Sequence, residues 1–458
     1  MNTLALIPSA SESLGTRLPI LAVVPFAALL LCVAILPLVA GHWWHANKNK
    51  AILAALLSVP FAVWLYKTEG AASVGAFQHA LLDYVAFIVL LGALYVVSGG
   101  ILVRGSLNGT PLSNSTLLGV GAILANLIGT TGASMVLIRP ILRANEARKD
   151  KTHTFVFFIF IVSNCGGLLT PFADPPLFLG FLKGVPFEWT LQLWPEWLTI
   201  NGLLLLVYFI VDSYRMDREE KARPGSQLED VMKHAPLGID GAFNILLLFA
   251  IVAIILAKGT GVGANGGEWP FGIQEGLMAF VALVSYFGTP KVVHAKNSFS
   301  FTPINEVAIL FAGIFITMIA PLAILNARGG ELGLTQPWQY FWATGGLSGL
   351  LDNAPTYLAF AAVASGQAGI SVDGPRYLGE YLAAGGTSDI ILQAIACGAV
   401  MMGAMTYIGN GPNFMVKAIV EENGVKMPSF FGFMAWSFVL LVPCLLVVTF
   451  VFFRGSPA

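Results

Sequence analysis

Two matching segments, one in each half of the chain, constrain the fold of this sequence more than any other feature. Residues 164–178 have the sequence NCGGLLTPFADPPLF, and residues 400–414 have the sequence VMMGAMTYIGNGPNF. Both lie inside long apolar stretches, where glycine, proline and polar residues are costly. At a constant offset of 236 residues the matched pairs are Gly167 with Gly403, Thr170 with Thr406, Asp174 with Asn410, Pro176 with Pro412, and Phe178 with Phe414. Broken helices at corresponding positions of two halves are typical of the central site of a transporter.

The composition predicts a polytopic membrane protein. Of the 458 residues, 56% are hydrophobic and only 11% are charged, whereas soluble domains carry roughly 25% charged residues. A net charge of −1 without a basic stripe argues against nucleic-acid binding. The four cysteines form no CxxC pair, which argues against a disulfide framework and a zinc site. Walker, GxSxG, HExxH and SxxK motifs are absent, so we expect neither an enzyme nor a cofactor.

Apolar stretches predict about ten transmembrane spans, for which roughly 17–25 residues each are needed. They lie near 19–41, 51–66, 78–103, 152–183, 194–212, 238–257, 271–287, 304–325, 386–421 and 428–453. Two further stretches, 113–142 and 335–363, contain many Gly, Asn, Thr and Pro residues. We interpret these two as re-entrant hairpins, which are tolerated at membrane depth only where protein or water lines them.

The distribution of basic residues supports the two hairpins. If both return to the side from which they start, 17 of the 24 Lys and Arg residues fall on one face. The positive-inside rule makes that face cytoplasmic. Its loops lie near 42–50, 104–112, 143–151, 213–237, 288–303 and 422–427. Treating either hairpin as a full crossing would place basic loops on both faces.

The order of the predicted elements repeats in the two halves. Residues 1–212 and 238–458 each give three spans, a hairpin, a broken span and a final span. A cytoplasmic linker at 213–237, which we expect to be a solvated loop, joins them. An odd number of crossings in each half inverts the second copy. We therefore predict an all-α polytopic membrane protein with two inverted repeats and broken helices, 152–183 and 386–421, at the membrane midplane.

Asp174 is the first candidate for ion binding, because an ionisable residue inside a membrane is usually functional. It lies in the first break, where neighbouring prolines cannot donate hydrogen bonds and so leave backbone carbonyls free. Na⁺ prefers oxygen ligands, as other hard cations do. Further polar groups in the two breaks come from Asn164, Thr170, Thr406, Asn410 and Asn413. The alternative is that the glycines and prolines only allow close helix packing.

The hairpins add a second carboxylate. Asp352 lies beside Asn353 and Thr356 in the second hairpin. The first hairpin offers Asn126 and Thr130 at the corresponding place, without a carboxylate. Asp352 could bind an ion or a proton, or it could cap a hairpin helix through a free backbone N–H.

Proton coupling requires a side chain that gains and loses a proton. Asp174 is the main candidate because its repeat partner Asn410 cannot titrate, and Asp352 is the second. One charge shared by two half-sites suits a monovalent cation. We therefore expect Na⁺ to be held by Asp174, Asn164 and Asn410, in competition with H⁺.

Asp83 and Glu306 begin equivalent predicted spans, DYVAFIVL and EVAILFAG. Both lie near a predicted membrane face. Because a negative charge is favourable at a helix N-terminus, we interpret both as helix-stabilising residues.

Four segments carry a family resemblance. They are IGTTGASMVLIRP at 128–140, FFIFIVSNCGGLLTPFADPPLFLGFLKGVPF at 157–187, LLDNAPTY at 350–357 and TYIGNGPNFMVKAI at 406–419. These segments resemble the ion transporter superfamily that includes NhaD-type sodium/proton antiporters, arsenite permeases and citrate or dicarboxylate carriers. The chain is most similar to a bacterial group labelled sodium:proton antiporter or citrate transporter.

The resemblance implies a homodimer in which a scaffold holds two mobile transport domains that rise and fall like elevators. By motif, it places ion-site positions at Asn164, Thr170, Asp174, Asn353, Thr356, Asn410 and Asn413. The carboxylate carriers of the superfamily have Ser-Asn-Thr at both hairpin tips, whereas the tips here are ANLIGTT and LDNAPT. An acidic tip would repel a dianion, which weakens the carboxylate interpretation.

The sequence therefore predicts a secondary transporter that exchanges cytoplasmic Na⁺ or Li⁺ for external H⁺ across the bilayer of a bacterial inner membrane. The alternative is a citrate, dicarboxylate or oxyanion carrier coupled to Na⁺ or H⁺, which could bind its substrate at helix N-termini. A deep Arg or Lys facing Asn410 would favour the carrier. The only Arg near membrane depth is Arg139, at the cytoplasmic end of the first hairpin.

Overall fold

The computed structural model describes residues 14–454 except 45, 107, 223, 226–234, 260–261, 263–268 and 298. Helices dominate this part of the chain, as predicted. They are α1 (Leu14–Arg17), α2 (Val24–Val39), α3 (Gly41–Trp44), α4 (Asn47–Glu69), α5 (Ala71–Gly99), α6 (Pro111–Ala144), α7 (Thr152–Phe160), α8 (Pro175–Leu182), α9 (Trp194–Ala222), α10 (Phe243–Gly259), α11 (Ile273–Gly288), α12 (Lys291–Lys296), α13 (Thr302–Thr317), α14 (Ile319–Arg328), α15 (Pro337–Ser348), α16 (Asn353–Gln367), α17 (Tyr377–Ala383), α18 (Ser388–Met402), α19 (Gly411–Glu422), α20 (Phe430–Trp436) and α21 (Val442–Phe452).

Seven helices in the described residues are long and apolar enough to cross a membrane, or eight if α13 and α14 count as one span. These two helices are bent by 43° relative to each other, so the predicted span 304–325 is not straight. Large apolar side chains are exposed along α2, α4, α9 and α21, for example Ile35, Leu56, Leu206 and Phe450. So much exposed apolar surface suits lipid rather than water. The count of about ten spans stays a prediction.

The first predicted hairpin is a helix pair that turns at a glycine. Gly129, inside α6, has φ 77° and ψ 155°, which are not helical angles. A straight helix of 34 residues would hold its ends about 50 Å apart. Instead, Asn114 and Asn145 exchange two hydrogen bonds of 2.9 Å at the base of the segment. The chain therefore folds back at Gly129.

The second predicted hairpin consists of α15 and α16, joined by residues 349–352. Tyr340 Oη donates to Gln367 Oε1 at 2.7 Å, and Gln367 Nε2 donates to the carbonyl oxygen of Leu334 at 3.0 Å. The start of α15 and the end of α16 therefore lie together, so this segment also folds back on itself.

Both predicted broken spans are interrupted. α7 continues into a π-helical turn at Ile161–Cys165 and the chain is then irregular until α8. α18 continues into a 3₁₀ turn at Gly403–Met405 and is irregular until α19. Asp174 precedes α8 with φ −146° and ψ 146°, and Asn410 precedes α19 with φ −154° and ψ 142°. The two positions related by the offset of 236 residues thus share one backbone conformation.

The predicted linker is helical at its start. α9 runs to Ala222, so residues 213–222 are not the solvated loop that we expected. The segment DREEKA is rich in helix-forming residues, and Arg215 forms an ion pair of 2.5 Å with Asp150. Residues 226–234 of the linker lie outside the described residues.

A two-stranded ribbon interrupts the helical architecture. Strand β1 (Leu102–Ser106) pairs antiparallel with β2 (Ala235–Asp240), with Leu102 opposite Asp240. Arg143, near the end of α6, donates to the carbonyl oxygens of Gly105 and Val103 at 2.9 and 2.8 Å. The ribbon therefore connects the end of the linker to the base of the first hairpin. These are the two strands in the described residues, and the prediction of an all-α chain omitted them.

A buried charged cluster fastens the first hairpin to α7 and α9. Asp212 accepts hydrogen bonds from Tyr208 at 2.9 Å and from Asn114 at 3.3 Å. The same carboxylate contacts Arg148 at 2.6 Å and His153 at 2.8 Å. Buried charges are tolerated when they are paired and hydrogen-bonded in this way.

Two groups of helices, eleven of the 21, define the surroundings of the site. The core bundle comprises α6, α7, α8, α15, α16, α18 and α19, which contain the hairpins and breaks. The side bundle comprises α2, α4, α5 and α13. The two bundles meet where α5 packs on α6 and α8.

Gly129→Ala is expected to destabilise the protein by about 1–3 kcal/mol, because φ 77° with ψ 155° is nearly exclusive to glycine. Thermal unfolding of the purified protein in detergent would measure the loss. Gly119→Ala is the matched control, because Gly119 is helical and a Cβ there would lie 3.5 Å from Leu205 Cδ1, an ordinary contact. Equal unfolding temperatures for the two variants would contradict the assigned turn.

Candidate functional site

The carboxylate of Asp174 lies at the centre of the core bundle and is bound by residues from three other elements. Its Oδ1 accepts hydrogen bonds from Thr130 Oγ1 at 2.9 Å and from Asn410 Nδ2 at 3.1 Å. Its Oδ2 accepts from Asn353 Nδ2 at 2.5 Å. Asp174 is only 2% exposed. Both hairpin tips and both breaks therefore meet at this carboxylate.

The local sequence explains why the carboxylate points into the site. Asp174 stands at the N-cap position of α8, where an aspartate usually accepts hydrogen bonds from the first backbone N–H groups. Here the first two helical residues, Pro175 and Pro176, have no N–H. The N–H of Leu177 donates to the backbone oxygen of Asp174 instead. The side chain caps nothing and remains available to the other elements.

Three asparagines extend the site between the two breaks. Asn410 Nδ2 lies 3.1 Å from Asp174 Oδ1 and 3.2 Å from Asn164 Oδ1, so two oxygens converge on one amide group. Asn164 Nδ2 donates to Asn413 Oδ1 at 2.7 Å. Asn413 Nδ2 donates to the carbonyl oxygens of Gly403 and Thr406, at 2.8 and 2.9 Å. We call Thr130, Asn164, Asp174, Asn353, Asn410 and Asn413 the Asp174 cluster.

Each break is attached to its hairpin by one threonine, and the two contacts are alike. Thr170 Oγ1 donates to the carbonyl oxygen of Asn126 at 2.7 Å, and Thr406 Oγ1 donates to that of Gly349, also at 2.7 Å. Each acceptor lies just before a hairpin tip. Asn126 Oδ1 also accepts from the backbone N–H of Leu169 at 2.8 Å. These contacts position the hairpin tips. Thr170 and Thr406, which are 236 residues apart, therefore make equivalent contacts in the two halves.

The second hairpin tip contains a carboxylate that caps a helix, that of Asp352, and an amide oxygen without a hydrogen bond from the described residues, Asn353 Oδ1. Asp352 Oδ1 accepts from the backbone N–H of Ala354 at 3.0 Å and so caps α16. Thr356 Oγ1 donates to the backbone oxygen of Asp352 at 2.8 Å within the same helix. Asn353 is 1% exposed, and its Oδ1 accepts no hydrogen bond from the described residues. A buried unpaired oxygen beside a carboxylate suits a cation ligand.

A cavity of about 360 Å³ connects the cluster to one side of the molecule. Thr130, Asp352 and Asn410 line its inner end. Trp44 of α3 and Glu306 of α13 line its outer part. No Lys or Arg occurs among its described lining residues. Glu306 forms an ion pair of 2.7 Å with Lys50. The charged groups that face the cavity are therefore carboxylates.

A comparison with protein-family models identifies the family. Residues 15–453 match the family described as "Putative citrate transport". The chain belongs to this family. It is therefore a multi-pass membrane transporter, and the resemblance to the citrate transporter group is confirmed. A search of curated proteins found no match to the chain.

In this family member, the structure brings together only part of the predicted site. Six predicted residues form the Asp174 cluster. Four others make no hydrogen bond to it among the described residues, namely Asn126, Thr170, Asp352 and Thr356. Asp352 still lines the cavity, whereas Asn126 and Thr170 serve to join hairpin and break.

Asp83 does not lie at a helix N-terminus, as the sequence predicted, and its partner lies far away along the chain. α5 begins at Ala71, so Asp83 lies inside the helix and does not mark its N-terminus. The segment before it, AASVGAFQHALL, is apolar enough to continue the helix toward the N-terminus, which the predicted start at 78 ignored. Asp83 contacts Lys183 at the end of α8. A contact between residues 100 positions apart has no local signal in the sequence.

Proposed function

We propose that this transporter exchanges Na⁺ or Li⁺ for H⁺ at Asp174. The observation that carries the proposal is the Asp174 cluster, in which one buried carboxylate is bound by both hairpin tips and the second break. A carboxylate can hold either a proton or a monovalent cation, which makes binding of the two mutually exclusive. That exclusion is the basis of exchange.

Cation binding is proposed to involve Asp174, Asn164 and Asn410. The oxygens of the first two already lie 3.1 and 3.2 Å from the same amide nitrogen of Asn410. Rotation of that amide would bring its own oxygen toward the same point. Together with Asn353 Oδ1, which accepts no hydrogen bond from the described residues, the cluster could then offer Na⁺ a set of oxygens.

The charge of the cavity supports a cation over a carboxylate substrate. Its described lining has Asp352 and Glu306 but no Lys or Arg. The N-terminus of α16 is capped by Asp352, so its partial positive charge is already neutralised by the protein. An anion entering this cavity would meet negative charge at both ends.

The second candidate is a citrate, dicarboxylate or oxyanion carrier coupled to Na⁺ or H⁺. It is favoured by the description of the matched family. α8 and α19 also begin at the Asp174 cluster, and helix N-termini of broken helices can bind anions. Na⁺ would still bind the cluster in this scheme, as a coupling ion.

Transport in everted membrane vesicles would separate the two candidates. Vesicles from an antiporter-deficient bacterium are acidified inside and followed with a pH-sensitive dye. Exchange predicts dequenching when Na⁺ or Li⁺ is added, with no effect of citrate or succinate. Uptake of labelled citrate or succinate into right-side-out vesicles, without any dequenching by cations in everted ones, would contradict the exchange proposal and support the carrier.

We further propose a bacterial inner-membrane location, two inverted repeats and a homodimer with elevator-like transport domains. The repeated order of elements and the matched conformations of Asp174 and Asn410 support the repeats. The dimer and the elevator motion rest on the family resemblance. No cofactor is proposed apart from Na⁺ and H⁺ as transported ions, and no enzymatic step.

Moving the carboxylate to the other half-site is expected to restore part of the activity. In Asp174→Asn/Asn410→Asp, the carboxylate stays beside position 174 and Asn164, because Asn410 Nδ2 lies 3.1 Å from Asp174 Oδ1 and 3.2 Å from Asn164 Oδ1. Dequenching by Na⁺ should therefore recover partially relative to Asp174→Asn alone. Asp174→Asn/Asn413→Asp is the matched control, because a carboxylate at 413 would face the carbonyl oxygens of Gly403 and Thr406. Equal activity of the two double variants would contradict a shared site.

A further inference from the structure

Phe178 and Phe414 occupy matching positions in the two breaks but lie in opposite environments. Phe178 is 1% exposed, and its ring lies 6.5 Å from that of Phe87 in the side bundle. Phe87 in turn stacks on Phe311 at 4.8 Å. Phe414 is 42% exposed and lines the cavity beside Asn410. One ring is packed between the two bundles while its counterpart faces an open space.

An ion pair joins the two bundles just beyond Phe178. Lys183, which directly follows α8, contacts Asp83 of α5, and their side chains are only 11% and 18% exposed. The ion pair on the cavity side, Lys50 with Glu306, links α4 to α13 and so stays within the side bundle. Of these two pairs, only Asp83–Lys183 connects the bundles.

A second cavity, of about 560 Å³, surrounds the Asp83–Lys183 pair. His79, Asp373 and Phe315 contribute to its lining, and no member of the Asp174 cluster does. The ring of Phe315 lies 5.7 Å from that of Phe87. One cavity thus reaches the cluster, while the other stops at the aromatic rings between the bundles.

We propose that Phe178 and the Asp83–Lys183 pair form a closed gate, and that Phe414 is the corresponding gate in its open position. This inference rests on the proposed transport function. Transport requires the site to open to each side in turn, and inverted repeats achieve this by moving one bundle against the other around the site. In the opposite state, Phe414 is covered, Phe178 is exposed and the Asp83–Lys183 pair is broken.

Cysteine labelling tests the gate while the Phe178 side remains intact. Phe414→Cys is introduced into a full-length chain whose four native cysteines are replaced, and a membrane-impermeant maleimide is added to cells or to everted vesicles. The cavity borders the predicted cytoplasmic loops 42–50 and 288–303 at Trp44 and Thr302, so the thiol introduced at position 414 should react in everted vesicles. Adding Asp83→Asn removes the bundle-to-bundle ion pair and should slow this reaction, by up to about fivefold, as the opposite state fills.

Two further variants make the result specific. The charge reversal Asp83→Lys/Lys183→Asp should restore fast labelling at position 414, because it re-forms the pair. Asp240→Asn breaks an exposed ion pair with Arg104 on the ribbon and should leave labelling unchanged. Unchanged labelling with Asp83→Asn, or an equal change with Asp240→Asn, would overturn the gate.

A second reporter covers the other side of the molecule. Phe178→Cys should react slowly in everted vesicles, and Asp83→Asn should increase its labelling in intact cells. Labelling of both introduced cysteines from the same face would overturn the exchange of environments. The measurement uses no transported ion, so it stands if the vesicles reveal carboxylate uptake, and it can fail even if cation exchange is established.

Discussion

Asp174→Asn is expected to reduce Na⁺-dependent dequenching to the level of vesicles without the protein. Asparagine has nearly the same shape as aspartate, but its amide group neither gains nor loses a proton and has no negative charge. The donors around it, Thr130 and Asn353, would remain in place while the exchangeable group is lost. Dye fluorescence in everted vesicles measures the effect, and the amount of inserted protein is determined in the same membranes.

A control and a pH series define what the loss means. Asp240→Asn changes a carboxylate that is paired with Arg104 on the surface ribbon, and it should retain full exchange. In the unaltered protein, the apparent KM for Na⁺ should rise as the pH falls, because protons occupy the carboxylate before Na⁺ can bind. Full activity of Asp174→Asn, or a KM independent of pH, would remove Asp174 as the shared site.

The interruptions of the fold could be predicted from the sequence because their cause is local. Proline cannot donate a backbone hydrogen bond, and glycine alone adopts angles such as those of Gly129 without strain. Pro175 and Pro176 explain both the start of α8 and the free side chain of Asp174. The offset of 236 residues then indicated Asn410 as the counterpart of Asp174, and the two are in hydrogen-bond contact.

The partners of each polar side chain could not be predicted in the same way. Asn126 and Thr170 have the same residue types as cluster members, yet they bond to each other and not to Asp174. Which threonine faces the site depends on how the hairpin packs against the break, not on residue type. Asp352 illustrates the same limit, because the sequence left open whether it binds an ion or a proton or caps a helix, and the capping contact is seen only in the structure.

Helix ends depend on tertiary packing as well. The start of a span was predicted near 78, whereas α5 begins at Ala71, and here the apolar residues before 78 were a local signal that the prediction did not use. The charged segment after 212 looked like a loop, but the ion pair between Arg215 and Asp150 supports its first turns as helix. Such contacts link residues that are distant in sequence and therefore leave no periodic pattern.

Asn353→Ala is expected to weaken Na⁺ binding without removing exchange. The substitution removes the donor to Asp174 Oδ2 and the amide oxygen that accepts no hydrogen bond from the described residues. A hydrogen bond to a charged group contributes about 1.5–3 kcal/mol, so the apparent KM for Na⁺ should rise by about 10- to 150-fold. Dequenching measured over a range of Na⁺ concentrations gives this value.

Thr356→Val separates the role of Asn353 from a general effect on the hairpin. Thr356 lies one turn further along α16, and its hydroxyl group donates only within that helix, to the backbone oxygen of Asp352. Its replacement should therefore change the KM for Na⁺ little, although the family resemblance places both residues at the ion site. If Thr356→Val raised the KM as much as Asn353→Ala, the hairpin tip would act through its fold and not through the Asn353 amide. If Asn353→Ala abolished exchange altogether, Asn353 would belong to the coupling step itself, and the assignment of coupling to Asp174 alone would be wrong.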